Sequence, residues 1–265
     1  MNKRRCAAPL TTRRFFPVTK PEIIICQNLS ELNRKAAEEF VALFDAANAR
    51  CGRFTVALSG GSTPTALYAL LATTEYRNRL DWSRVHLFWS DERCVPPDHP
   101  ESNFRMVQES LLSKVEIPRE NIHRMAGEKN PQAAAADYEN ELRRFFNLAQ
   151  DGLPRFDLIY LGLGEDGHTA SLFPGSAALS ESQRWVATAY VEKLNAHRLT
   201  LTLPVINAAA QITFLVSGAS KRAVVKQVLG AGAGSSNFPA AKVSPADGKL
   251  TWLITEDAAG DLQGE

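Results

Sequence analysis

Short runs of apolar residues alternate with longer stretches in which apolar side chains recur every three or four positions, and the alternation persists through most of the chain. The short runs predict strands at Ile23 to Cys26, Phe54 to Leu58, Val85 to Trp89, Phe156 to Leu161, Trp185 to Val191, Arg198 to Leu203, Gln211 to Val216 and Leu250 to Ile254. Between them, Leu32, Ala36, Phe40, Leu43 and Phe44 share one face of a helix that Ser30 can cap and that runs to about Arg50. Further helices are predicted from Pro64, at a first helical position, through Leu71, from about Asn103 to Leu112, from Pro131 to about Ala149, and from near Gly218. The Gly230 to Ser236 tract reads as a mobile surface loop. Strands alternating with helices in this way predict an α/β fold, with a mostly parallel sheet covered by helices on both faces.

Length and composition narrow this picture. No Ser/Gly/Pro linker divides the 265 residues, so residues 21–265 read as a single domain. Hydrophobic residues make up 45% and charged residues 22%, and no apolar run approaches the length of a membrane span, which points to a cytoplasmic protein without membrane partners. The formal charge of +1 hides an asymmetry: six of the 30 Lys and Arg lie in the first 20 residues, where there is no acid, leaving 24 bases against 29 acids elsewhere. A net acidic body argues against a nucleic-acid partner. Residues 1–20 therefore read as a disordered basic leader; an Arg-rich, acid-free segment also suits a transit peptide, but Pro9 and Pro17 interrupt the helix this would need. Cys6, Cys26, Cys51 and Cys94 form no CxxC pair, so neither a disulfide framework nor a zinc cluster is indicated.

Candidate chemistry gathers where strands end. Ser59-Gly60-Gly61-Ser62-Thr63-Pro64 joins a strand to a helix, so its amides and hydroxyls can converge on an anion; a tight turn with an N-cap is the alternative. No Lys follows the glycines, which excludes a Walker loop. Asp91-Glu92-Arg93 closes the next strand and offers an arginine fork to a phosphate or carboxylate, unless it is merely a solvated charge cluster. Ser217-Gly218-Ala219-Ser220-Lys221 supplies a further cation, although most lysines are simply surface residues.

The run from Gly162 to Phe173 presents Asp166 and His168 directly after a buried strand. It matches GxGxxG, but Phe173-Pro174-Gly175 stops any helix after little more than a turn, which disfavours a dinucleotide site. Among His86, His99, His123, His168 and His197, only His168 occupies such a strand-end glycine loop. Three anion-binding loops and a fourth with Asp and His fit a site for a phosphorylated small molecule with acid–base chemistry.

These motifs, ALSGGSTP (Ala57 to Pro64), SDER (Ser90 to Arg93), GLGEDGHTASLFPG (Gly162 to Gly175), RLTLTLPVIN (Arg198 to Asn207), SGASK (Ser217 to Lys221), and PAAKVSP followed by LTWLIT, resemble the 6-phosphogluconolactonase family over about residues 22 to 260. The resemblance implies a three-layer αβα, Rossmann-like fold of the glucosamine-6-phosphate deaminase/ribose-5-phosphate isomerase type. It further implies a carboxylic ester hydrolase that opens 6-phospho-D-glucono-1,5-lactone to 6-phospho-D-gluconate, in the oxidative pentose phosphate pathway. The candidate catalytic set is then His168 as general base, Asp166 as the group orienting its ring, Arg93 on substrate or oxyanion, and Asp91, with Glu92 as a further acid. Ser59, Gly60, Gly61, Ser62, Arg198 and Lys221 are the candidate phosphate site. No metal and no organic cofactor is implied, the partner is a small sugar-phosphate lactone, and a monomer or small homo-oligomer is expected.

Two other readings stand beside it. Glucosamine-6-phosphate deaminases continue their His loop as GHIAFNEP with a relay Glu, and the equivalent position here is Phe173. A non-catalytic sugar-phosphate sensor would keep the pocket and lose the catalyst, whereas Asp166, Gly167 and His168 are retained. The segment from Glu192 to His197 departs from the family pattern in lacking prolines.

Overall fold

The computed structural model describes residues 20–148, 152–230 and 237–264. The basic leader up to Thr19 and the core of the Gly230 to Ser236 tract lie outside the described residues.

Nine strands are described: β1 (Glu22–Cys26), β2 (Phe54–Leu58), β3 (Val85–Trp89), β4 (Asp91–Arg93), β5 (Leu158–Leu161), β6 (Val186–Val191), β7 (Ala196–Leu201), β8 (Gln211–Val216) and β9 (Lys249–Thr255). The α-helices are α1 (Leu29–Cys51), α2 (Ser62–Leu71), α3 (Thr74–Arg77), α4 (Asn103–Ser110), α5 (Pro131–Phe146), α6 (Leu203–Asn207), α7 (Arg222–Leu229) and α8 (Glu256–Ala259). Six strands form one sheet in the order β1-β9-β8-β5-β2-β3, and every neighbouring pair runs parallel. Strands β2, β5 and β8 are buried along their whole length, as continuous apolar runs require when both faces of a sheet are covered.

Helix α1 buries Leu32, Ala36, Phe40 and Phe44, and α5 buries Ala134, Tyr138, Leu142 and Phe146, both repeating at intervals of four. The cap of α1 is Asn28, not Ser30. Its side chain accepts from Glu31 N at 3.0 Å while Gln27 N donates to Glu31 Oε2 at 2.8 Å, so the reciprocal pair of Asn28 and Glu31, three residues apart, decides the start. Helix α5 ends at Phe146, where Asn147 turns left-handed at φ 49°. At the foot of the sheet Asp157 pins β5 to β2: its Oδ2 accepts from Thr55 N and Thr55 Oγ1, each at 2.8 Å, and it pairs with Arg50.

Two of the expected strands leave the parallel sheet. Segments β6 and β7 are joined by the short turn through Glu192–Leu194 and therefore pair antiparallel, with β4 on the other side of β7. The second of them stops at Leu201, because Leu203 and Pro204 begin α6. Residue Ser90 joins the two sheets, its N donating to Leu58 O and its O accepting from Leu201 N, both at 2.8 Å.

The chain passes from β2 outward to β3 and then returns to β5 on the opposite side before continuing to β8 and β9. The strand order thus reverses between β2 and β5. Their carboxyl ends flank a crevice at a topological switch point, where ligands of open α/β sheets bind. Among the described residues, no helix is long and apolar enough to cross a membrane.

Candidate active site

The loop after β2 meets the crevice first. Tyr68 Oη accepts from Ser59 N and donates to Ser59 O, each at 3.0 Å, so the buried phenol consumes the Ser59 backbone. Ser59 Oγ is left buried with no hydrogen-bond partner among the described residues. A Cβ on Gly60 would lie 1.9 Å from Asn103 Oδ1, so this close approach requires glycine. Residue Ser62 is exposed at the start of α2, whose first amides have no intrahelical acceptor. Thr63 Oγ1 meets Ser217 Oγ at 2.7 Å, which ties this loop to the one following β8.

The acidic run after β3 divides its tasks. Glu92 Oε1 accepts from Arg93 N and Asn103 N at 2.7 Å, and Oε2 accepts from Phe104 N at 2.8 Å, so this carboxylate stabilises the N-terminus of α4. Burial raises its carboxyl above the ordinary value, against the pull of those amides. Asp91 Oδ2 accepts from Ser171 Oγ at 2.7 Å, and Asn103 Nδ2 donates to Asp91 O at 2.9 Å. Arg93 donates to Glu101 O and stands opposite Arg198 in the β4–β7 register. Burial, then the neighbouring Arg93, lowers the Arg198 guanidinium from its usual value, while Asp91 opposes the shift. Arg198 Nη1 is buried without a partner among the described residues. Ser59 Oγ and Arg198 Nη1 are thus two buried donors left without a partner among the described residues, chemically able to donate to an anion.

The loop after β5 carries the imidazole. Asp166 Oδ1 accepts from His168 N at 3.1 Å and from His168 Nδ1 at 2.5 Å. With Nδ1–H so engaged, the neutral ring presents a lone pair at Nε2. Burial pushes the Asp166 carboxyl up, but the His168 hydrogen bond and charge outweigh it and hold the group below its ordinary value. A Cβ on Gly164 would lie 2.0 Å from His168 Nδ1, so the ring packs directly on that glycine. The ring of Phe173 covers His168 from another side, centroids 4.5 Å apart. Lys221 Nζ lies 3.9 Å from Glu165 Oε1, which places the loop after β8 beside the His168 loop.

The residues singled out from sequence thus fall into three linked groups: Ser59 to Ser62 with the β8 loop, Asp91 and Arg93 with Arg198, and Asp166 with His168. Among the described residues the Ser59 and Arg198 side chains share no hydrogen bond, and Lys221 pairs with Glu165. Asn103, Ser171, Thr200 and Tyr68 were not anticipated as site residues; their contribution depends on contacts between distant segments. Among the described residues, no group of three or more His, Cys, Asp and Glu side chains is arranged to hold a metal ion. A separate groove along α5 is lined by Arg124, Lys129, Asp137, Glu141 and Arg143, and includes none of the strand-end residues. Three of its bases pair with acidic neighbours, Arg124 with Glu128, Lys129 with Asp137 and Arg143 with Glu139, and Arg144 donates to Asn140 O.

The model of the glucosamine-6-phosphate isomerases/6-phosphogluconolactonase family matches residues 27–252. The chain belongs to this family. A 6-phosphogluconolactonase of Synechocystis sp. is 41% identical over 244 residues, covering 92% of this chain and 99% of the relative. A 6-phosphogluconolactonase of Nostoc sp. is 39% identical over 244 residues, with the same coverage of 92% and 99%. The crystal structure of devB protein is 35% identical and superposes with a TM-score of 0.84, covering 92% of this chain and 100% of that one. The family match spans all four strand-end loops that shape the crevice.

Proposed function

We infer that this chain hydrolyses 6-phospho-D-glucono-1,5-lactone to 6-phospho-D-gluconate, the lactone-opening step of the oxidative pentose phosphate pathway. The observation that carries the choice within the family is Phe173 against the His168 ring, at the position where deaminases place a relay carboxylate. An apolar ring transfers no proton, so the chemistry left to this loop is one general base acting on water. Relatives named 6-phosphogluconolactonase at 41% and 39% identity support the same reading.

In this mechanism His168 Nε2 takes a proton from water as its oxygen attacks the lactone carbonyl carbon, and Asp166 holds the tautomer that leaves Nε2 free. The carbonyl oxygen gains negative charge, which Arg93 stabilises. Collapse breaks the bond between that carbon and the ring oxygen, and the proton held by His168 passes to the departing alkoxide. The phosphate, which does not react, is bound by the Ser59 to Ser62 loop with Arg198 and Lys221, and orients the carbonyl. Asp91 serves as counter-charge to Arg198 while its Oδ2 accepts from Ser171.

The test generates the phospholactone in situ with glucose-6-phosphate dehydrogenase and follows acid release with and without the protein. Rapid hydrolysis is expected, far faster than with unphosphorylated gluconolactone, and glucosamine 6-phosphate should release no ammonia above background. Ammonia release would favour deamination. Tight binding of the phospholactone without turnover would favour a sensor.

A further inference from the structure

Between Leu161, where β5 ends, and Ala177 the described chain has no helix or strand, so no ladder of backbone bonds holds the segment that carries His168. The segment closes on itself: Gly164 N donates to His168 O at 2.8 Å, Gly167 N to Gly164 O at 3.0 Å and Leu172 N to Thr169 O at 3.0 Å. These bonds shape the turns, but they do not fix the loop against the rest of the crevice. Ala170 even takes up a left-handed backbone, φ 48°, a strained conformation for a residue with a Cβ.

Outward, Ala240 N donates to Gly167 O at 3.0 Å beside His168, while the bonds toward the small sheet come from Ser171, three residues beyond His168. Its hydroxyl donates to Asp91 Oδ2 at 2.7 Å, and its backbone N donates to Thr200 Oγ1 at 3.2 Å. Asp91 and Thr200 are directly paired across β4 and β7, so both bonds of Ser171 land on one rung of the small sheet. The same ladder carries Arg93 opposite Arg198 two residues further along. All three members of the clamp are buried, with Ser171 at 2%, Thr200 at 0% and Asp91 at 8% exposure, where a hydrogen bond to a carboxylate is strong and its loss leaves the acceptor unsatisfied.

We propose that Ser171 is a positioning residue for His168: through Asp91 it holds the imidazole loop in register with the arginine pair on the small sheet. It touches no reacting atom. Its contribution is to hold His168 Nε2 within hydrogen-bond reach of the attacking water. This inference rests on the reading of His168 as general base.

The test measures kcat and KM of the full-length protein on the phospholactone for Ser171→Ala, Ser171→Thr, His168→Ala and the Ser171→Ala/His168→Ala pair. Ser171→Ala should lower kcat by about 10- to 100-fold, as misplacement of a catalytic group by about an ångström does, with KM within about threefold of wild type. Ser171→Thr, which keeps the hydroxyl, should recover most of the loss. In the His168→Ala background the Ser171 change should cost nothing further, a non-additivity that general weakening of the fold does not produce. An unchanged kcat, a loss confined to KM, or the same fold-loss with and without His168 overturns the proposal. If Ser171→Ala does not fold, Ser171→Cys, which keeps the shape and weakens the donor, takes its place, and wild-type kcat there overturns it as well. A His168→Ala variant with full activity would instead sink the general-base reading itself.

Discussion

Alanine at position 164 is the most incisive perturbation of the site, because it adds one methyl group against the imidazole and nothing else. Its Cβ would lie 2.0 Å from His168 Nδ1, 2.2 Å from Cε1 and 2.7 Å from Asp166 Oδ1. Ordinary contact begins at 3.4 Å, so the ring must retreat by about 1.4 Å or break its bond to Asp166. Gly164 has no positive φ, so alanine meets no backbone strain there. A misplacement of about 1 Å can cost on the order of 100-fold in rate. That loss corresponds to about 2.7 kcal/mol in the barrier, and it should appear in kcat with KM nearly unchanged. Gly162→Ala is the matched control: it lies in the same loop, has no positive φ, and its Cβ would meet nothing within 4 Å. Initial rates on the phospholactone, with thermal melts of both variants, decide the matter. Wild-type kcat in Gly164→Ala, or equal losses in the two variants, would refute the placement of the ring as the cause.

Replacing Asp157 by Ala removes the acceptor of Thr55 N, Thr55 Oγ1 and Arg50 at the base of β5, and should destabilise the fold by about 3 kcal/mol in urea melts while leaving KM unchanged; a stability within error of wild type would contradict this. Burial pushes the Glu39 carboxyl from 4.5 up to about 7, outweighing the hydrogen bond from Thr213 Oγ1. Its ionised form is thus disfavoured by folding, a penalty absent below the unfolded value and complete above about pH 7, so stability declines as pH rises across that window. Glu39→Gln should remove the decline and be more stable than wild type by about 1–3 kcal/mol near pH 8 but not near pH 4; an equal difference at both would show that ionisation is not the cause. Lys221→Ala and Arg198→Ala should raise KM more than they lower kcat, because each removes a contact to a phosphate unchanged in the reaction. If both lost kcat at constant KM, these cations would belong to the carbonyl end.

The parallel sheet was legible because its central strands are unbroken apolar runs: Phe54 to Leu58 and Gln211 to Val216 admit little else in a chain with helical stretches between them. The strand-end loops were legible for the complementary reason, since Gly60, Gly61, Gly164 and Gly167 stand where an apolar run stops. Strand β4 had no such signal. Asp91, Glu92 and Arg93 carry no apolar alternation and form a strand only because β7 offers them a partner. The antiparallel pairing of β6 with β7 was visible only in the shortness of their connection. Asn103 read as the beginning of a helix, yet its side chain also bridges to Asp91 and fills the space a Gly60 side chain would need. Ser171 sat inside a recognised motif, but its partner Asp91 lies 80 residues away, and no spacing rule reveals a bond of that range.

The catalytic role of His168 is tested most directly by the turnover of His168→Ala on 6-phosphogluconolactone, generated in situ and corrected for spontaneous hydrolysis. A general base held by Asp166 and presented at Nε2 should be worth about 10²–10⁴-fold. The folded variant is therefore expected to lose kcat by that factor while KM stays close to wild type. A folded His168→Ala protein that retains wild-type kcat would contradict the account.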